Sequence, residues 1–405
     1  MRQLNILQFI PNFLPFLGGT EMNTYMFAKH SRHRHIVLTD QLPNTPKYEN
    51  LDGITVYRIK PVKKNYKFRF QTYLTEIVRE FNKLVKYQNV DFDIMHLHGC
   101  TNFPSLLVDI DGVLGHTVFK KLMVWRFCKK PIILTLHSTP SHDFPWREHF
   151  LQKPFPSSQF RRSWLGLEGY FRKKAKAIIC VDRYMAVLMK SFPGNAKVVH
   201  IPSGTDTELF KPMEKRKAIQ LLPKSVKDKL EQCANDFLVL YVGRIHLEKG
   251  AHYLEPFARK LPPDMKLIVA GHGNLHLLGN NKNIVYVGSI KNEHLPALIN
   301  SCDAVFNPVL FIGISRVTFE AMACGKPVVM FGGVDRYPLE HQKNGFAVSN
   351  VDEAVETMMR LKKDHKLYNK ISYEGLKTAQ ENSVQKLAKL VDGLYEEVAL
   401  AENKL

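Results

Sequence analysis

The sequence predicts an α/β chain built from two parallel-sheet domains, and three observations carry that expectation. A chain of 405 residues with 45% hydrophobic content has enough material for two cores and is globular, not disordered. Short apolar runs recur along its length and alternate with helix-like segments, the pattern of an α/β sheet. Two of those runs, at 4–10 and 304–306, lead through glycine-bearing loops into helices. Such a junction turns free amides and the positive end of the helix dipole toward an anion.

The first half is taken in order. Residues 4–10 (LNILQFI) form an apolar run of strand length, stopped by Pro11. Gly18, Gly19, Thr20 and Glu21 follow, and a helix is expected over 22–30. His30, His33 and His35 flank Arg32 and Arg34, and are read as the exposed end of that helix rather than as metal ligands. Strands are expected at 36–39 and 54–59. Residues 60–70 are basic with interleaved aromatics, and 74–85 has the apolar spacing of an amphipathic helix. Residues 93–99 (DIMHLHG) give a strand and its exit. A buried strand at 132–136 ends on His137, at the edge where parallel sheets bind ligands. A second basic-aromatic segment, 160–177, precedes a strand at 177–181.

The second half opens with a short strand at 198–201 and the turn 202–206. The strand 237–242 runs into a loop, 243–250 (GRIHLEKG). Further strands are expected at 266–270, before Gly271-His272-Gly273, and at 284–287, before Gly288-Ser289-Ile290. After the run at 304–306 comes a loop with Gly313 and Ser315, then a helix carrying Phe319, Glu320, Met322 and Ala323. Gly325 closes that helix as a C′ glycine, and 328–331 is the next strand. Glu320 lies about one and a half turns beyond Ser315. From there a carboxylate can accept from two neighbouring hydroxyls, as on a ribose. Helices are expected over 352–361 and 384–400.

The decamer EAMACGKPVV at 320–329 resembles the signature of the retaining GT-B glycosyltransferases, the glycogen-synthase-like group that uses nucleotide sugars. The loop 243–250 resembles that family's GR-x4-KG pattern, 202–206 its IPNGVD turn, 93–98 its D-x-x-H-x-H pattern, and 18–21 its GG(T/A)E loop. The resemblance implies a GT-B fold with two Rossmann-like domains facing a cleft. The first would cover 1–199, joined by a returning helix at 384–405, and the second 200–383. It implies transfer of a sugar from a nucleotide diphosphate sugar with retention. Arg244 and Lys249 would hold the diphosphate with Gly18, Gly19, Gly313, Ile314 and Ser315. Glu320 would take the ribose, Ile290 would lie by the base, and His137 by the sugar. His98 and Glu21 would line the acceptor side of the cleft. Two fixed cations suffice for a departing diphosphate, so neither metal nor cofactor is expected. The family's usual second Glu, eight residues before Glu320, is replaced by Ile312. That removes a contact to the transferred sugar, not a covalent catalyst.

Charge points to the acceptor. Net charge is +19. Residues 1–200 hold 30 Lys/Arg against 14 Asp/Glu, a net of +16, while 201–405 hold 27 against 24, a net of +3. The excess suits an anionic partner. Basic stems beside interfacial aromatics, as at Arg161, Arg162, Trp164, Lys173 and Lys174, suit a membrane surface. The expected partners are a nucleotide sugar, an acceptor glycan or lipid-linked sugar, and an anionic leaflet; nucleic acid is disfavoured. No run is long enough to cross a bilayer, no signal peptide is read at Met1, and the six cysteines form no CxxC pair. The expected location is cytoplasmic, peripheral on the inner face of the plasma membrane. Two alternatives stand beside this reading: a non-catalytic nucleotide-sugar-binding protein, and a glycosyltransferase that modifies nucleic acid.

Overall fold

The computed structural model describes residues 2–10, 12–16, 18–59, 91–98, 130–137, 173–191, 194–309, 315–332 and 336–402. Backbone contacts divide the chain into two compact units, Met1–Pro202 with Leu387–Leu405, and Ser203–Lys386.

The first unit is an eight-stranded sheet. Its strands are β1 (Asn5–Phe9), β2 (Arg34–Asp40), β3 (Tyr48–Leu51), β4 (Ile54–Ile59), β5 (Ile94–His98), β6 (Ile132–Leu136), β7 (Ala177–Cys180) and β8 (Lys197–His200). Their order is β3-β4-β2-β1-β5-β6-β7-β8, parallel throughout except at β3 against β4. That hairpin was not foreseen. Asp52 and Gly53 close it with φ of 50° and 86°, the backbone that a two-residue Asp-Gly turn needs. The helix α1 (Gly19–His30) begins three residues earlier than the sequence suggested. After β7, α2 (Arg183–Lys190) is capped by buried Asp182, which accepts from the Met185 amide.

The second unit holds α3 (Lys215–Gln220), α4 (Lys224–Glu231), β9 (Phe237–Val242), α5 (Leu254–Lys260), β10 (Met265–Ala270), β11 (Ile284–Gly288), α6 (Leu295–Ser301), β12 (Ala304–Asn307), α7 (Arg316–Ala323), β13 (Val328–Phe331), β14 (Phe346–Val348), α8 (Val351–Lys363) and α9 (His365–Glu381). Its sheet is parallel throughout, in the order β11-β10-β9-β12-β13-β14. β9 is a continuous apolar run, and β10 and β12 are apolar but for Lys266 and Asn307, because helices cover both faces. Gly325, at φ 67°, ends α7 as expected of a C′ glycine, its amide donating to the Met322 carbonyl.

The last helix, α10 (Val384–Glu402), lays Leu387, Val391, Leu394, Tyr395 and Val398 on Ile6, Ile94, Ile133 and Ile179 of the first sheet. One expectation is corrected here. His33 and His35 are not the exposed end of a helix; they are 5% and 3% exposed. The chain leaves α1 at Ser31, and strand alternation then turns His35 inward while Arg34 faces out. His33 lies 3.5 Å from the Glu396 carboxylate of α10.

Candidate functional site

In the second unit the expected donor residues gather at the C-terminal edge of the sheet. The connections leaving β9, β10 and β12 meet there, backbone against backbone. A Cβ on Gly250 would lie 1.9 Å from the Pro308 carbonyl oxygen, and Gly250 sits at φ 70°. A Cβ on Gly271 would lie 1.9 Å from the Gly243 oxygen, and one on Gly273 2.4 Å from that of Ile245. Only glycine permits this closeness. Ile245 donates to the His272 carbonyl at 2.8 Å, and Asn274 returns a bond to Ile245 at 2.8 Å.

Tyr241 pins the 243–250 loop from below. Its side chain is fully buried, and its hydroxyl donates to the Arg244 carbonyl at 2.8 Å, with the Lys249 carbonyl 3.5 Å away. Burial holds this phenol well above its ordinary pKa, so it stays a donor. The two cations it anchors differ. Arg244 is 59% exposed and only loosely tied, 3.9 Å from Glu248. Lys249 is largely enclosed; burial, then repulsion from Arg244, lowers its pKa, and Glu248 offsets this in part. Two cations held close with incomplete neutralisation gain most from an arriving polyanion.

Across the edge, α7 starts at Ser315 and Arg316. Ser315 gives no side-chain cap, so the leading amides keep donor capacity. Asn307 at the end of β12 donates to Thr318 Oγ1 at 3.2 Å and ties helix to sheet. Glu320 is 3% exposed and accepts from Arg316 Nη2 on Oε1 at 3.0 Å. Desolvation raises its pKa, and Arg316 opposes that rise. Ile290 is half-buried against the core on the same side of the sheet as Val287. Gly313, Ile314 and the departing position Ile312 lie outside the described residues.

In the first unit, His98 and His137 stand at the C-terminal ends of neighbouring strands with rings stacked, centroids 5.8 Å apart. His98 Nε2 meets Gln8 Oε1 at 2.8 Å, and its Nδ1 lies 3.2 Å from Thr24 Oγ1. The Gln8 amide bonds His35 Nδ1 on its other side. His96, 4.3 Å from His98 between centroids, bonds Tyr395 and Thr135, each at 2.6 Å. Burial lowers the pKa of His35 and His96 to about 3, that of His137 to about 4, and that of His98 well below its usual value. The cluster is therefore a neutral network near pH 7. His137 Nε2 is buried with no hydrogen-bond partner among the described residues.

Gly18 and Gly19 lie at the start of α1, as expected, but that end carries its own anion. The Glu21 carboxylate folds back over Gly18, where a Cβ would come within 2.1 Å of Glu21 Oε2. It bonds its own backbone amide, while burial raises its pKa. Nothing crowds Gly19 within 4 Å.

Sequence reasoning missed Gln8, His35, His96, Tyr241 and Arg316. The D-x-x-H-x-H spacing could have shown His96, since residues two apart share a strand face. Lys173 and Lys174 are exposed, while Arg161, Arg162, Trp164, the basic stretch 60–70 and the expected amphipathic helix at 74–85 lie outside the described residues. Among the described residues no helix is long and apolar enough to cross a membrane, and no His, Cys, Asp or Glu group could hold a metal ion.

Residues 224–378 match the family described as glycosyl transferases group 1, and residues 17–209 match glycosyltransferase family 4. An uncharacterised glycosyltransferase of Methanocaldococcus jannaschii is 25% identical over 384 residues, 88% of this chain and 88% of that protein. Among solved structures, sucrose-phosphate synthase of Thermosynechococcus elongatus has a TM-score of 0.75 at 18% identity, over 99% of this chain and 100% of the other. Anabaena HepE, solved with UDP-glucose, has a TM-score of 0.67 at 20% identity, over 100% of each chain. The shared fold is GT-B, two parallel-sheet domains.

Proposed function

We propose that this chain is a group 1 glycosyltransferase that moves a sugar from a nucleotide diphosphate sugar, with retention and without a metal, to a lipid-linked or cell-surface glycan acceptor. The observation that carries the reading is the 243–250 loop. Tyr241 pins its backbone, it holds Arg244 and Lys249 with Glu248 the one acid beside them among the described residues, and it abuts the connection to the helix that bears Glu320.

In this reading Arg244 and Lys249 bind the diphosphate, with amides from Gly313 to Ser315. Glu320 takes the ribose hydroxyls and Ile290 packs by the base. His137, whose Nε2 has no partner among the described residues, serves the sugar in this reading. The bond from the anomeric carbon to the β-phosphate oxygen breaks as the acceptor oxygen bonds the same face. The acceptor proton passes to the leaving phosphate. The two cations stabilise the charge that gathers on the diphosphate, which is where fixed charge lowers a barrier. His98 and Glu21 are assigned to the acceptor in this reading.

HepE was solved with UDP-glucose, so UDP-sugars are the first donors to try. The test incubates the protein with UDP-, GDP-, ADP- and dTDP-sugars and follows release of nucleoside diphosphate. Release from at least one donor is expected. Tight binding without release would favour the non-catalytic reading that Ile312 invites. The absence of both binding and release would overturn the donor site.

A further inference from the structure

Arg316 is out of place as a helix residue. It opens α7, where the positive end of the dipole disfavours a cation. It stands four residues before Glu320, and a cation placed N-terminal to its acid is the weaker order of such a pair on a helix. Its side chain is 22% exposed and its partner's 4%. Enclosing an ion pair this far is a poor source of stability, because desolvation offsets the attraction. The helix therefore gains little from Arg316. What it gains is a fixed carboxylate: Arg316 Nη2 holds Glu320 Oε1 at 3.0 Å.

A carboxylate offers about four acceptor positions, and a guanidinium five donors. The contact uses one of each. Glu320 keeps acceptor capacity for a pair of vicinal hydroxyls, provided that it is ionised and cannot turn away. The cation loop touches the backbone leading toward α7, since Gly250 packs on Pro308, so ribose and diphosphate contacts are built on adjoining segments.

We propose that Arg316 is a positioning residue of the donor site, holding Glu320 as an oriented acceptor and thereby setting the preference for a ribonucleotide over one lacking ribose hydroxyls. This rests on the donor-site reading given above. It predicts a selectivity effect, which simple structural support would not produce.

The test is calorimetry with UDP, GDP, ADP and CDP, to find the nucleotide bound best, and then with its 2′,3′-dideoxy counterpart. Wild type should bind the ribose form roughly tenfold tighter or more, the scale of hydrogen bonds to a charged group. In Arg316→Leu the ribose form should weaken roughly tenfold while the dideoxy form is unchanged, so the ratio collapses. Arg316→Lys should restore part of the ratio, since Lys supplies the charge without the fork. Glu320→Gln should behave like Arg316→Leu. Thermal melts check that each variant is folded, and Arg316→Lys carries the test alone if the Leu variant is not. An unchanged ratio, or equal weakening of both forms, overturns the proposal and leaves the donor site standing. Wild type that binds none of the four, or does not discriminate the dideoxy form, overturns the donor-site reading and the proposal with it.

Discussion

Lowering the pH from 7.5 to 5 should unfold the first unit well before the second. His35 and His96 have their pKa values lowered to about 3 and His137 to about 4, all by burial. In the unfolded chain each titrates near its ordinary value of about 6.5. Because the folded value is the lower one, no penalty exists above about pH 6.5. Below it the unfolded chain takes up protons that the native unit refuses, so stability falls with pH until the folded value is reached. At pH 5 each histidine has passed about 1.5 pH units of that window, about 2 kcal/mol. The three together cost about 6 kcal/mol, comparable with the roughly 5–15 kcal/mol that a folded domain holds in all. His35 and His96 cannot rotate out of the penalty, because Gln8, Thr135 and Tyr395 hold their rings and the surrounding strands are apolar.

The assay is urea unfolding followed by tryptophan fluorescence and, in parallel, by far-ultraviolet circular dichroism. All three tryptophans, Trp125, Trp146 and Trp164, fall in the first unit's part of the sequence, so fluorescence reads that unit alone. For a slope of about 2–3 kcal/mol per molar, the midpoint should drop by roughly 2–3 M between pH 7.5 and 5. Replacing one titrating ring, as in His35→Asn, should remove about a third of the pH dependence whatever it does at pH 7.5. A fluorescence midpoint that stays constant from pH 7.5 to 5 would refute the reasoning, and so would an undiminished slope in His35→Asn.

Arg244→Ala and Lys249→Ala should each weaken nucleoside diphosphate binding by roughly 1.5–3 kcal/mol, measured by calorimetry, the value of a charge-assisted hydrogen bond; near-normal affinity and turnover in both would remove them from the site. Glu320→Ala should weaken the same nucleotide while leaving the melting temperature within a few degrees of wild type, and unchanged affinity would make Glu320 structural. Gly250→Ala places a Cβ on the Pro308 carbonyl in left-handed backbone, and should cost about 2–4 kcal/mol in unfolding free energy together with nucleotide affinity; a neutral result would show that the three-loop contact yields easily. Co-sedimentation with vesicles of rising anionic lipid content should show salt-sensitive binding, at about 1 kcal/mol per basic residue near the leaflet. The variant Arg161/Arg162/Lys173/Lys174→Ser should lose it, and equal sedimentation on neutral lipid would refute the membrane contact.

What could be read beforehand was what depends on local pattern. β4 at Ile54–Ile59 and β6 at Ile132–Leu136 were legible because apolar runs bounded by turns leave little choice. Gly325 was legible because a left-handed C′ position admits few residues. β3 was missed although Asp52-Gly53 signals a hairpin, because Tyr48–Leu51 is a strand with alternate residues exposed and only four long. His33 and His35 were misread because charge beside histidine suggests a surface, and the polar partners that make burial tolerable come from β1 and from α10, which lies some 360 residues further along the chain. Tyr241 was invisible for another reason. Its hydroxyl bonds carbonyls, and every residue has one, so no side chain marks the acceptor. Arg316 was passed over because the signature beginning at Glu320 directs attention to what is shared. The ion pair reaches the carboxylate from one turn before that signature begins. A motif thus fixes which atom meets the ligand. How that atom is charged and aimed is decided by neighbours outside the motif, and in this chain those neighbours are the ones most open to experiment.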